Sequence, residues 1–244
     1  MIYPALSLVI PCYNEVERLP VMFAALDAFA SSWAGDFEWI IVNDGSTDDT
    51  EAAIQEHPVF QQWSKHIRLL TQHNGGKGSA LQLGVSKVKY PFFVTLDADM
   101  ATHPKQLIQW LTVRKTFHPR EILIGSRELQ RSEVTDYAHR KLAGHVFNFL
   151  IRKITGLPYR DTQCGYKLYP EQAKLCFAAL ETKGWAHDVE LLLRANRAGF
   201  SIQEMPVHWK AVDGSKISVW RDSWMMLYDV LRIAIRLRMK STRP

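Results

Sequence analysis

The chain has 244 residues, 47% hydrophobic and 23% charged, an ordinary globular composition that excludes intrinsic disorder and collagen-like repeats. Thirty Lys and Arg against twenty-five Asp and Glu give a net charge of +5, which suits anionic partners but does not separate nucleic acid from phosphorylated substrates or acidic lipid. The three cysteines, Cys12, Cys164 and Cys176, form no C-x-x-C pair, which argues against a disulfide scaffold or a zinc ribbon and for a reducing compartment.

The first half alternates strand-like and helical patterns. Apolar runs predict strands over residues 6–10, 37–42, 67–70, 92–96 and 121–125. Helical spacing predicts helices over 19–29, 47–55 (capped from Ser46 or Thr47), 79–88 and 105–116. Strands separated by helices imply βαβ crossovers, hence an α/β fold around a mostly parallel sheet. Polar clusters fall where ligands bind such sheets, at the strands' carboxyl ends: Tyr13-Asn14-Glu15, Asn43-Asp44-Gly45-Ser46 and Asp97-Ala98-Asp99. The second half predicts two amphipathic helices, 140–154 and 218–239, separated by a mixed segment holding Trp185 and Trp209. The longest stretch without Asp, Glu, Lys or Arg runs from Met1 to Asn14, interrupted by Pro4 and Pro11, so neither a membrane span nor a signal peptide is expected.

Two phosphate motifs are set aside. Gly75-Gly76-Lys77-Gly78-Ser79 has Gly after Lys where a P-loop requires Ser or Thr, and no G-x-G-x-x-G follows the first strand. Asp97 and Asp99 close an apolar strand, and alternation along extended chain would put both carboxylates on one side, where they could share a hard divalent cation. Asp44, beside Glu15 at a neighbouring strand end, suits a nucleobase edge and ribose hydroxyls, while Ser46 and Thr47 are explained by a helix cap.

The segments Val9 to Glu15, Val42 to Thr50, Gly75 to Gly78 and Asp97 to Asp99, in this order, resemble the GT-A family 2 glycosyltransferases. Ile124-Gly125-Ser126-Arg127, Asp161-Thr162-Gln163-Cys164-Gly165-Tyr166-Lys167-Leu168, Trp185 to Leu191 and Val212 to Lys216 narrow the resemblance to polyprenyl-phosphate glycosyltransferases, dolichyl-phosphate β-glucosyltransferases above all. The resemblance covers roughly residues 5 to 235. It implies a GT-A domain over residues 1–217, including an interfacial helix at 140–157, and a basic amphipathic helix and tail at 218–244.

On that resemblance Pro11, Tyr13, Glu15, Asp44, Lys77, Asp97, Ala98 and Asp99 would bind the nucleotide sugar, with Asp97 and Asp99 holding Mg²⁺ or Mn²⁺. Ser126, Arg127, Arg140 and Lys216 would surround the acceptor phosphate, Asp161, Gln163 and Trp185 the sugar, and Asp99, Arg127 and Asp188 would act in catalysis. Asp188 stands where related enzymes place a general base, although a phosphate acceptor needs no strong base. Asn43 replaces the acid common before the Asp-Gly-Ser unit, and Ala101 stands where some relatives have a further metal ligand.

The implied reaction is inverting transfer of a hexose, glucose from UDP-glucose, to a polyprenyl phosphate at the cytosolic face of a membrane. The alternatives are a GDP-mannose-dependent mannosyltransferase and a family 2 transferase with a non-lipid acceptor. After Asp229 the chain has no acids while Arg232, Arg236, Arg238, Lys240 and Arg243 accumulate, so the last helix is expected to lie on a membrane surface. A membrane-anchor protein or a second copy of the chain are the other partners considered. Nucleic acid is not expected, because no reading helix, zinc site or RNA-binding strand motif is present.

Overall fold

The computed structural model describes residues 2–135, 138–212 and 219–241, without side chains at 138–143, 145, 219–224 and 238–241. A seven-stranded sheet runs through the centre in the order β3-β2-β1-β4-β7-β5-β8. Its strands are β1 (Leu6–Cys12), β2 (Phe37–Asn43), β3 (Ile67–Thr71), β4 (Phe92–Thr95), β5 (Glu121–Ser126), β7 (Lys167–Pro170) and β8 (Ser201–Pro206). The neighbours β3/β2, β2/β1, β1/β4 and β5/β8 are parallel, and β7 alone runs antiparallel between β4 and β5. A small parallel pair, β6 (Glu133–Thr135) with β9 (His208–Lys210), stands apart.

Residue alternation explains why both faces of the sheet are covered. On β1 and β2, Leu6, Leu8, Ile10, Phe37, Trp39 and Ile41 enter one core, while Val9, Ile40 and Val42 enter the other. The first core is closed by α1 (Leu19–Ala30), α2 (Thr50–Glu56), α3 (Pro58–Gln62) and α5 (Gln106–Arg114), through Met22, Phe23, Leu26, Ile54, Leu107 and Trp110. The second is closed by α4 (Lys77–Ser86), α7 (Lys174–Ala178), α8 (His187–Arg197) and the long helices α6 (Ala138–Thr155) and α9 (Val219–Ser241). Helix α9 packs on α6 and α8, and Arg236 reaches the fully buried Glu190 at 2.9 Å. No described helix is long and apolar enough to cross a membrane.

The predicted elements are present with shifted ends, and three differences have physical causes. Helix α2 begins at Thr50 rather than 47, because Asp48 Oδ1 accepts the Thr50 N–H at 3.1 Å, while Ser46 and Thr47 bond Asn14 across the strand ends. Strand β4 stops at Thr95, so Asp97-Ala98-Asp99 lies in a turn and strand alternation does not place its carboxylates. Strand β7, unmarked in the sequence, carries the fully buried Lys167 into the sheet.

Candidate active site

The chain turns from β3 back to the other side of β1 to form β4, which makes the carboxyl ends of β1 and β4 a topological switch point, the usual ligand crevice of such sheets. A cavity of about 440 Å³ opens there. Pro11, Tyr13 and Glu15 reach it from β1, Asp44 from β2, Lys77 from the start of α4, and Asp97, Ala98 and Asp99 from β4. All eight residues expected around the nucleotide sugar therefore line one cavity, and Trp185 joins them from the loop before α8.

Two left-handed residues shape its rim. Asn14 has φ 54° and is held by Ser46 Oγ, which accepts its N–H at 2.9 Å, and by its own Oδ1, which accepts the Thr47 N–H at 2.7 Å. Asn tolerates this conformation better than most side chains. Met100 also has φ 54°, and its N–H closes on the Asp97 carbonyl at 3.1 Å, folding the acidic turn back on itself.

Within the cavity Lys77 Nζ lies 2.5 Å from Asp97 Oδ1 and 5.7 Å from the centre of the Trp185 ring. Burial opposes the Lys77 charge, but Asp97 and Asp188 outweigh it and hold the ammonium pKa above its usual value. Asp99 Oδ1 accepts the Ala101 N–H at 3.0 Å, and burial together with the neighbouring Asp97 charge raises its pKa. A buried carboxylate beside a second one is relieved by a shared cation, and the hard oxygens of Asp97 and Asp99 fit Mg²⁺ or Mn²⁺. No group of three or more metal-ligating His, Cys, Asp or Glu occurs among the described residues, so other ligands would have to come from substrate or water. Gly165 backs the turn: a Cβ there would overlap the Asp97 carboxylate.

Asp44 and Glu15 are not a free acidic pair. Asp44 Oδ1 accepts from Gln72 Nε2 at 2.6 Å and the Gly75 N–H at 2.9 Å, and Oδ2 accepts the Gly76 N–H at 2.8 Å. Its carboxylate thus folds the glycine-rich loop that delivers Lys77, where Gly76 takes φ 86° and Gly78 sits too close to the Thr182 and Lys183 carbonyls for a side chain. Glu15 pairs with Arg18 at 2.9 Å, and Arg18 also lines the cavity. Asn43 bonds Glu51 at 2.7 Å and the Ser46 N–H at 3.1 Å, and Ala101 is buried without a ligating group.

Several expected residues take other places. Asp161 is fully buried and does not face the cavity: it accepts Arg127 Nε at 2.7 Å and Nη2 at 3.0 Å, and the Arg127 and Gln163 N–H groups at 3.0 and 3.1 Å. Burial opposes its charge, but Arg127 prevails and keeps the carboxyl pKa low. Arg127 itself stays 30% exposed, 5.4 Å from the Trp209 ring centre. Gln163 turns to the Met226 sulfur at 3.1 Å and Ser126 is fully buried at the end of β5, so neither lines the cavity.

Asp188 lies beneath the cavity rather than in its wall. Lys167 Nζ, fully buried, donates to Asp188 Oδ1 at 2.6 Å and to the Cys164 carbonyl at 2.5 Å. Burial raises the Asp188 pKa, but Lys167 outweighs it and brings the group down to about 2. Its two oxygens face Lys167 and His187, so the carboxylate ties the start of α8 to β7 beneath the Lys77 site. The Arg140 side chain and all of Lys216 lie outside the described residues. The sequence reading missed Arg18, Asn74 and Gly184 in the cavity wall and Lys167 beneath it. Only Arg18 left a signal, its i,i+3 spacing from Glu15.

Comparison with known proteins shows the family and the fold. The family model for Glycosyl transferase family 2 matches residues 7–174. The chain is 34% identical to the human dolichyl-phosphate beta-glucosyltransferase, over 95% of this chain and 75% of that protein. It is 36% identical to one from Trichomonas vaginalis, over 94% of this chain and 73% of that protein. Among solved structures, glucosyl-3-phosphoglycerate synthase from Mycobacterium tuberculosis, in complex with Mn²⁺, UDP and glucosyl-3-phosphoglycerate, superposes with a TM-score of 0.66 at 16% identity, covering 95% of this chain and 80% of that one. Mannosyl-3-phosphoglycerate synthase from Rubrobacter xylanophilus gives a TM-score of 0.65 at 16% identity, over 98% and 76% of the two chains. The fold is GT-A-like, and the chain belongs to glycosyl transferase family 2.

Proposed function

We propose that the enzyme transfers glucose from UDP-glucose to a polyprenyl phosphate of the dolichyl type, inverting the anomeric centre. The observation that carries this reading is the Lys77, Asp97 and Asp99 cluster in the switch-point cavity of a chain whose relatives are dolichyl-phosphate beta-glucosyltransferases. Tyr13, Glu15 and Arg18 offer the wall for the nucleoside, and the Asp44-folded loop brings Lys77 to the diphosphate. Asp97 and Asp99 would hold Mn²⁺ or Mg²⁺, which supplies Lewis-acid neutralisation of the departing diphosphate.

The acceptor phosphate needs positioning rather than deprotonation, because its second pKa is about 6 and it is largely dianionic at pH 7. Arg127, its guanidinium set by Asp161 through Nε and Nη2, leaves Nη1 for a phosphate oxygen. Trp185, 45% exposed at the mouth, offers a ring face to the hexose. Attack opposite the leaving diphosphate gives a β-linked product from an α-linked donor. The lipid chain would leave the site along α6 and α9, whose Phe149, Met225, Tyr228 and Ile235 are about half exposed or more. On this reading the enzyme works at the cytosolic face of a membrane.

Parallel assays with UDP-glucose and GDP-mannose, each with polyprenyl phosphate and Mn²⁺ or Mg²⁺, test the proposal. Glucosyl lipid that disappears with EDTA is the expected result. Mannosyl lipid would overturn the sugar, and transfer undiminished by EDTA would overturn the metal.

A further inference from the structure

A second cavity, of about 280 Å³, shares no residue with the first and has no part in the reaction described above. It lies between the loop after β5, helix α6 and the segment preceding β7, and is lined by Glu128, Asn148, Arg152 and Arg160. Asn148 and Arg152 are one helical turn apart on a single face of α6. Glu128 and Arg160 are the chain neighbours of Arg127 and Asp161, whose buried ion pair clamps the two segments together. The Arg160 N–H is further fixed on Glu204 Oε1 at 3.0 Å. The cavity is therefore a built feature of the fold.

Its wall carries two guanidinium groups and one carboxylate, Glu128. Arg152 and Arg160 make no ion pair among the described residues, although both line one cavity. Asn148 is 7% exposed, and its Oδ1 and the Arg152 Nε are buried without a hydrogen-bond partner. A buried polar atom left unpaired is costly, so two of them, on Asn148 and Arg152, beside the exposed Arg160 guanidinium point to a ligand. Guanidinium forks match phosphate oxygens, and the carboxamide oxygen accepts from a hydroxyl. On the adjoining face of α6, Val146 and Phe149 are 54% and 49% exposed, continuous with the exposed apolar residues of α9 packed beside it.

We propose that Arg152, Arg160 and Asn148 form a second phosphate site that takes the headgroup of an anionic, hydroxyl-bearing membrane lipid. Held there, a headgroup would orient the apolar face of α6 and α9 into the bilayer. The inference rests on the membrane reading of those helices and is independent of the sugar transferred.

The test is cosedimentation of the full chain with vesicles of phosphatidylglycerol in phosphatidylcholine, against pure phosphatidylcholine. Asn148→Leu changes no charge and removes a buried unsatisfied group, and it is expected to weaken binding to the anionic vesicles at least about fivefold. Arg152→Gln with Arg160→Gln should weaken it about tenfold more than Lys153→Gln with Arg232→Gln, a control pair that loses the same charge outside the cavity at about fivefold per residue. Transfer to detergent-dispersed acceptor should persist in all of these variants. Unchanged binding by Asn148→Leu, or equal losses in the two charge pairs, would overturn the site. Arg152-dependent binding of glycerol 3-phosphate without preference for anionic vesicles would overturn the lipid as its source. Retained vesicle binding by a chain that transfers no sugar would count against the catalytic reading alone.

Discussion

Lys77 Nζ sits 2.5 Å from Asp97 Oδ1, so the lysine and any cation bound by the Asp97 and Asp99 pair compete for one carboxylate oxygen. The same lysine is delivered by a glycine-rich loop that Asp44 folds, and it is kept charged by Asp97 and Asp188. On the proposed reading, donor binding would resolve the competition by giving Lys77 phosphate oxygens in place of the carboxylate. Lys77→Met is therefore expected to tighten Mn²⁺ binding to the free enzyme by about three- to fivefold, the scale of a partly exposed ion pair. It should also raise the KM for the sugar nucleotide and lower kcat. Calorimetric Mn²⁺ titration of the two proteins checks this. Weaker metal binding in the variant would show that Lys77 supports the cation site rather than competing with it.

Gly165 offers a second approach to the same carboxylate. A Cβ at this position would displace the Asp97 side chain, and no positive φ is involved, so the substitution acts through space alone. Gly165→Ala is expected to lower metal affinity and kcat/KM together, by about tenfold or more. Its cost in stability should stay within about 1–3 kcal/mol, as for other overpacked sites. Thermal melting beside Mn²⁺-dependent activity separates the two effects. An active variant with normal metal response would place Asp97 outside the metal site.

Lys167 and Asp188 form a buried pair whose members depend on each other. Lys167→Met leaves a buried carboxylate unpaired and should cost about 3–5 kcal/mol, whereas Lys167→Met with Asp188→Leu should cost less than the sum of the single changes. The pH dependence follows from the depressed carboxyl. A folded-state pKa of about 2 lies below the unfolded value, so the pair's stabilisation is complete above about pH 4 and is lost as the pH falls toward 2. Wild type should thus lose more stability than the double variant between pH 4 and 2, as measured by urea unfolding. Equal slopes would show that Asp188 is not held ionised by Lys167.

The strand and helix order of the first half was legible because its apolar runs have clear periods and its polar clusters fall at strand ends. Tyr13, Asp44 and Asp97 were legible because they follow closely on those runs, whereas Lys77 was singled out by the family resemblance; all four line one cavity. What did not show was tertiary. Strand β7 carries no local strand signal, and nothing in its sequence says that a lysine would be buried inside a sheet; Asp188, 21 residues on, and the Cys164 carbonyl make it tolerable. Asp161 and Asp44 read as ligand-facing acids, and in space their oxygens are taken by Arg127 and by the loop amides. The Asp97–Asp99 turn reached the expected place by a different route, a left-handed Met100 rather than strand alternation.

The most direct test of the central claim is the chemical identity of the product made from UDP-glucose and polyprenyl phosphate with Mn²⁺, read by NMR at the anomeric centre and compared with the Asp99→Ala variant. The account predicts a β-linked glucosyl phosphate from the wild type and at least about a hundredfold less from the variant, the scale of lost charge stabilisation at a reacting phosphate. An α-linked product, or a β-linked one formed equally fast without the Asp99 carboxylate, would contradict it.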